Sequence, residues 1–111
     1  MVSNTYSADE GKPVTFECET KNMGAIDIVW VFYPNGFAQS KNVIYFENKY
    51  QNNWDNKFDV NILPGATSLR STLTIKAVKY TDADYTYQCE CNIYKSRLNC
   101  FFYTAVKTKQ S

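Results

Sequence analysis

Tyr87-Gln88-Cys89-Glu90-Cys91, residues 87–91, is the stretch on which the fold turns. The chain holds four cysteines, and two of them stand here, one residue apart. Cys18 lies far upstream at the end of an alternating run, Trp30 follows it by twelve positions, and Cys100 closes the set. An even cysteine count in a small chain suits two disulfides and an oxidising compartment. A zinc site is the competing reading, but Cys89-Glu90-Cys91 has neither a second close pair nor any histidine to complete four ligands. Cys89 and Cys91 share strand parity, so either can face Cys18, and spacing alone leaves three pairings open.

Outward from these residues, a period of two dominates and no stretch sustains a period of 3.6. Val14, Phe16 and Cys18 alternate with Thr15, Glu17 and Glu19. Phe58, Val60 and Ile62 alternate with Lys57, Asp59 and Asn61, and Leu69, Leu73 and Ile75 with Arg70, Thr72, Thr74 and Lys76. These three strands have one apolar and one polar face, as a sheet with one side in water requires. Ile26–Tyr33, Val43–Phe46 and the last strand around Phe101–Val106 are apolar on both faces. Strands of that kind are buried on both sides, and nothing in the chain looks left over to cover the second side. A second protein chain is the expected cover. Turns at Glu10-Gly11-Lys12-Pro13, Pro34-Asn35-Gly36 and Pro64-Gly65 separate short strands with no helices between, which predicts an all-β sandwich.

The joint pattern Cys18…Trp30…Tyr87-x-Cys89 resembles the framework of immunoglobulin domains. The resemblance implies a two-sheet Greek-key sandwich of the variable type, with the disulfide joining the sheets, Trp30 packed on it and Tyr87 at the corner before its strand. Tyr87 favours Cys89 over Cys91 as the partner of Cys18. A bridge over so long a loop contributes about 4–5 kcal/mol in the chain-entropy model. Lys57 stands where such domains place a basic residue that pairs with an acid near the corner, here Asp82 or Asp84. Cys91 and Cys100 are extra; they flank the last hairpin, with Asn92 to Asn99 as its loop. A disulfide between them would close a ring of about ten residues, worth about 2.5–3 kcal/mol on the same basis.

Composition narrows the function. At 111 residues the chain has room for one domain, residues 1–111, and its net charge of +1 gives no reason to expect nucleic acid or an anionic membrane surface as partner. No histidine is present, which removes most catalytic triads and the commonest general base. Asp82 and Asp84 flank a turn and are expected to be solvated or ion-paired. No enzyme, cofactor, metal or small-molecule substrate is expected. No apolar run approaches the ~20 residues of a membrane span, and no Asn-x-Ser/Thr acceptor occurs.

Val29-Trp30-Val31-Phe32-Tyr33-Pro34, followed by Val43-Ile44-Tyr45-Phe46, resembles the class-I-restricted T-cell coreceptor family, cluster of differentiation eight, alpha chain. Phe101-Phe102-Tyr103-Thr104 lacks the Phe-Gly-x-Gly bulge of antibody and T-cell-receptor domains, as that family does. The resemblance runs from Gly11 to about Lys107. Tyr33, Tyr85, Cys91 and Cys100 depart from the mammalian pattern and point to a non-mammalian member.

The resemblance implies the extracellular domain of a single-pass cell-surface receptor, its stalk, membrane span and tail lying outside this chain. It implies a homodimer, or a heterodimer with a related beta chain, that binds the MHC class I heavy chain through three loops. The expected dimer residues are Val31, Tyr33, Val43, Tyr45 and Tyr103, on the sheet that the two-sided strands select independently. The expected loops span 21–27, 47–52 and 92–99, with contacts from Lys21, Asn22, Met23, Asn48, Lys49, Tyr50, Tyr94, Lys95, Ser96 and Arg97. Their cations suit an acidic or polar partner loop, and Arg97 beside Tyr94 is the strongest single contact candidate. The alternative is another variable-type immune receptor or adhesion domain with a different cell-surface ligand.

Overall fold

The alternating runs become strands, and the described residues hold nine strands in all. They are β1 (Val2–Asp9), β2 (Val14–Lys21), β3 (Ile26–Pro34), β4 (Asn42–Phe46), β5 (Lys49–Tyr50), β6 (Phe58–Pro64), β7 (Ser68–Ile75), β8 (Tyr85–Ile93) and β9 (Asn99–Lys109). The computed structural model describes the backbone of residues 2–21, 26–65, 68–93 and 99–109. Within that backbone it describes the side chains of residues 8–19, 28–63, 65 and 69–90. Two sheets form, one of six strands in the order β1-β9-β8-β3-β4-β5 and one of three, β2-β7-β6. All neighbours are antiparallel except β1 and β9, which run parallel from Val2↔Phe102 to Asp9↔Lys109. The polar Ser3-Asn4-Thr5 segment therefore enters a sheet, although its sequence carries no alternating apolar signal.

Two of the predicted turns, at Glu10-Gly11-Lys12-Pro13 and Pro34-Asn35-Gly36, stand where the sequence placed them, while the residues that follow Pro64-Gly65 lie outside the described residues. Gly36 adopts φ +85° inside a turn closed by Phe37 N–H donating to Pro34 O at 2.9 Å, and a side chain there is strained. Gly11 takes φ +84° between β1 and β2 while its N–H donates to Val78 O at 2.7 Å.

The core lies between the sheets. Val14, Phe16 and Cys18 from β2 and Phe58, Leu73 and Ile75 from β6 and β7 meet Ile28, Trp30 and Phe32 from β3 and Tyr87 and Cys89 from β8. Full burial of each large side chain stabilises by roughly 1.5–3 kcal/mol. Phe32 is the hub of an aromatic cluster: it meets Trp54 edge-on at 5.1 Å, Tyr85 edge-on at 5.4 Å and Phe58 at 6.0 Å.

Cys18 and Cys89 form the disulfide that joins the sheets. Of the two cysteines that share parity on β8, Cys89 is the one opposite Cys18. Cys18 pairs with Ser71 in one sheet and Cys89 with Trp30 in the other. Trp30 Nε1–H donates to Ser71 Oγ at 2.8 Å, so a hydrogen bond runs beside the disulfide as a second link between the layers. Ser71 in turn donates to Asn61 O at 2.9 Å, leaving no orphaned polar atom at the centre of this arrangement.

Lys57 takes Asp82, not Asp84, as its partner. The Nζ–Oδ1 distance is 2.7 Å, and Asp82 Oδ2 also accepts the Lys79 N–H at 2.8 Å. Asp82 is buried and ties β6 to the 3-10 turn Tyr80–Asp84 that precedes β8.

Candidate protein-binding surface

Two surfaces offer themselves for recognition: the end of the sandwich from which β2, β4 and β8 lead into their connections, and the outer face of the six-stranded sheet. The backbone register fixes the first. Ile26↔Ile93 and Asp27↔Asn92 set the start of β3 beside the end of β8, and β4 runs antiparallel to β3 toward that same end. The strand ends that flank the β2–β3, β4–β5 and β8–β9 connections therefore lie at one end of the sandwich.

The β4–β5 connection is a tight turn. Phe46 pairs with Lys49, so the loop is Glu47-Asn48 alone, with φ of 50° and 63°. Two successive left-handed residues make the primed two-residue turn whose twist matches its flanking strands. Asn48 and Lys49 are exposed there. Tyr50 is half-buried: its ring meets Tyr45 edge-on at 5.1 Å and its hydroxyl accepts the Val60 N–H at 2.8 Å. Tyr50 thus braces the hairpin against β6. Lys21 ends β2, its backbone paired with Ser68. Asn22, Met23, Tyr94, Lys95, Ser96 and Arg97 lie outside the described residues. The pairing of β8 with β9 continues to Asn92↔Asn99, so the ladder takes in the first and last residues of the expected 92–99 loop.

The outer sheet face differs from expectation in what covers it. Val29, Val31 and Tyr33 alternate with the core residues of β3, yet they are only 5, 2 and 7 % exposed in the single chain. The cover includes polar side chains of the chain itself. Lys41 precedes β4, Glu90 lies on β8, and β3 runs between them, so their 2.6 Å ion pair crosses the outer face of β3. Glu90 Oε1 also accepts from Gln88 Nε2 at 2.6 Å, and Gln88 sits level with Val31 in the register. Stems of long polar side chains cover apolar surface in this way while their heads remain hydrated.

Of the other expected face residues, Val43 is opposite Val31 and 36 % exposed. A β-bulge follows, with Ile44 as the extra residue, and sets Tyr45 level with the core-facing Trp30. Tyr45 is half-buried and packs partly against the core. Tyr103 is level with Gln88 on β9; its side chain lies outside the described residues. Sequence reasoning missed Lys41, Gln88 and Glu90. Their contacts depend on which strands become neighbours, and no local pattern encodes that.

At the opposite end of the sandwich a cleft of about 400 Å³ opens beside the corner, lined by Phe32, Trp54, Phe58, Tyr85 and the Lys57–Asp82 pair. Its charged pair is internally satisfied. Among the described residues, the disulfide and its aromatic neighbours occupy the interior between the sheets.

The family model of the immunoglobulin V-set domain matches residues 2–107. No curated protein sequence matches the chain.

Proposed function

We propose, for a chain that belongs to the immunoglobulin V-set family, that its work is recognition of another protein at the cell surface as a T-cell coreceptor domain of the alpha-chain type. In this reading the chain homodimerises, or pairs with a related beta chain, and engages the MHC class I heavy chain with its three loops. The observation that carries the reading is where those loops begin and end. The strand ends that flank three separate connections, among them the Glu47-Asn48 turn with the basic Lys49, lie at one end of a sandwich whose framework is held by a disulfide. A rigid scaffold beneath several loops lowers the ordering cost of binding. The resemblance of Val29–Pro34 and Val43–Phe46 to the coreceptor's strands adds the family-level specificity.

A second reading is favoured by the Lys41–Glu90 pair. Because Val31 and Tyr33 are covered within one chain, the domain also fits a variable-type immune receptor that works without a sheet-to-sheet dimer and meets a different ligand with the same loops. Two measurements separate the readings. Light scattering at high micromolar concentration gives a dimer for the coreceptor and a monomer for the alternative. Surface plasmon resonance against the MHC class I ectodomain gives a weak, saturable response that Arg97→Glu abolishes; no response at high micromolar concentration overturns the coreceptor assignment.

A further inference from the structure

With Cys18 and Cys89 joined, two cysteines remain in the sequence, and the backbone register sets them directly opposite one another: Cys91 pairs with Cys100 across β8 and β9. Directly opposed residues of an antiparallel pair have Cα atoms roughly 4.5 or 5.5 Å apart, according to whether they are hydrogen-bonded partners. Both values fall inside the roughly 4.4–6.8 Å range that a disulfide spans. Cys91 cannot serve Cys18 as well, because Cys89 already does.

We propose that Cys91 and Cys100 form a second disulfide, a covalent rung at the base of the β8–β9 hairpin. The two thiols give up two protons and two electrons to a disulfide of the oxidising compartment, which leaves as two thiols. This is the same exchange that closes Cys18–Cys89. The rung sits one register step from Asn92↔Asn99, the last described pair before the hairpin tip. It fixes the separation of the tip's two ends before any partner arrives and so reduces the entropy lost on binding. It stands whether the partner is MHC class I or another protein, because it rests on the register alone.

Proteolysis of the secreted, unreduced chain tests this directly. Trypsin cuts after Lys95 and Arg97, and a glutamate-specific protease cuts after Glu90, which separates Cys89 from Cys91. After both digestions, mass spectrometry is expected to find Cys91–Lys95 joined to Leu98–Lys107, with the two parting on reduction. A non-reducing gel is expected to show a monomer. Free thiols alkylated at Cys91 and Cys100, a Cys89–Cys100 link, or a disulfide-bonded dimer through these residues would each overturn the proposal. As a second readout, trypsin nicking at Lys95 or Arg97 leaves a chain that stays in one piece on a non-reducing gel. The Cys91→Ser, Cys100→Ser variant, nicked in the same way, separates into two fragments at the denaturing step.

Discussion

Trp30 on β3 and Ser71 on β7 belong to different sheets, yet the indole Nε1–H donates to the serine Oγ at 2.8 Å in the centre of the domain. Each is the register partner of a disulfide cysteine, Trp30 of Cys89 and Ser71 of Cys18. The four residues form a closed unit: two ladder pairings, one covalent bond and one hydrogen bond. The disulfide sets how far apart the sheets stand, and the hydrogen bond sets the lateral position of the indole over it.

Ser71→Ala leaves the indole N–H buried without an acceptor and frees Asn61 O as well. The expected cost is about 1–3 kcal/mol, the desolvation penalty of an unpaired buried group. Trp30→Phe costs more, through lost volume, but removes the donor. Chemical denaturation of both variants and of the double variant checks this. The double variant is expected to be less destabilised than the sum of the singles, because Ser71→Ala harms a chain only while the indole is present.

Asp82 receives two different bonds, one from each carboxylate oxygen: the Lys57 ammonium at 2.7 Å and the Lys79 N–H at 2.8 Å. Asp82→Asn keeps an acceptor for the backbone and loses only the negative charge that pairs with the Lys57 ammonium, for an expected loss of about 1 kcal/mol. Asp82→Ala strands both donors, and the expected loss is about 2–3 kcal/mol. Equal losses in thermal unfolding would show that the backbone bond contributes nothing.

Much of this arrangement was legible in the sequence, and the limits of that legibility are physical. Cys18, Trp30 and Cys89 announce themselves because rare residues stand at fixed offsets, and Tyr87 because it stands two positions before Cys89. Lys57 announced a partner, but choosing Asp82 over Asp84 required knowing which one the 3-10 turn points inward. Ser71 gave no signal, since a serine in the series Leu69, Leu73, Ile75 looks like a lapse in alternation; it is buried because the indole across the core needs an acceptor. Lys41 and Glu90 stand 49 residues apart and meet only because β4 and β8 flank β3. Period-two patterns say which face a residue takes, not which strand lies beside it.

Burial, then the negative charge of Asp82, then neighbouring Tyr85 push the ionisation of the Tyr87 hydroxyl far above the ordinary tyrosine range. In the unfolded chain it ionises near the usual value of about 10. Below that pH both states hold the proton and the group is neutral to stability differences. Above it the unfolded state loses the proton while the folded state retains it, so stability falls as pH rises. The other tyrosines of the chain contribute their own slopes, so the comparison is with Tyr87→Phe. The melting temperature of the native chain is expected to fall more steeply than that of the variant above about pH 10. Parallel curves would remove Tyr87 from the alkaline response.

The Lys41–Glu90 pair governs how much of the outer face a partner meets. With side chains 40 and 19 % exposed, the pair is partly hydrated, and breaking it is expected to cost no more than about 1 kcal/mol of folding stability. Its larger effect is on surface. Glu90→Ala releases both Lys41 and Gln88, since one carboxylate oxygen holds both. Val31 is then uncovered beside exposed Val43, and a contiguous apolar strip appears on β3 and β4. If two copies associate through this sheet, the native pair must be rearranged at their interface, and its removal lowers that cost. Sedimentation velocity is therefore expected to show Glu90→Ala dimerising at lower concentration than the native chain. Lys41→Met, which keeps an apolar stem over β3, is expected to shift the equilibrium less. If both variants sediment as the native chain does, the sheet face takes no part in association, and recognition rests on the loop end alone.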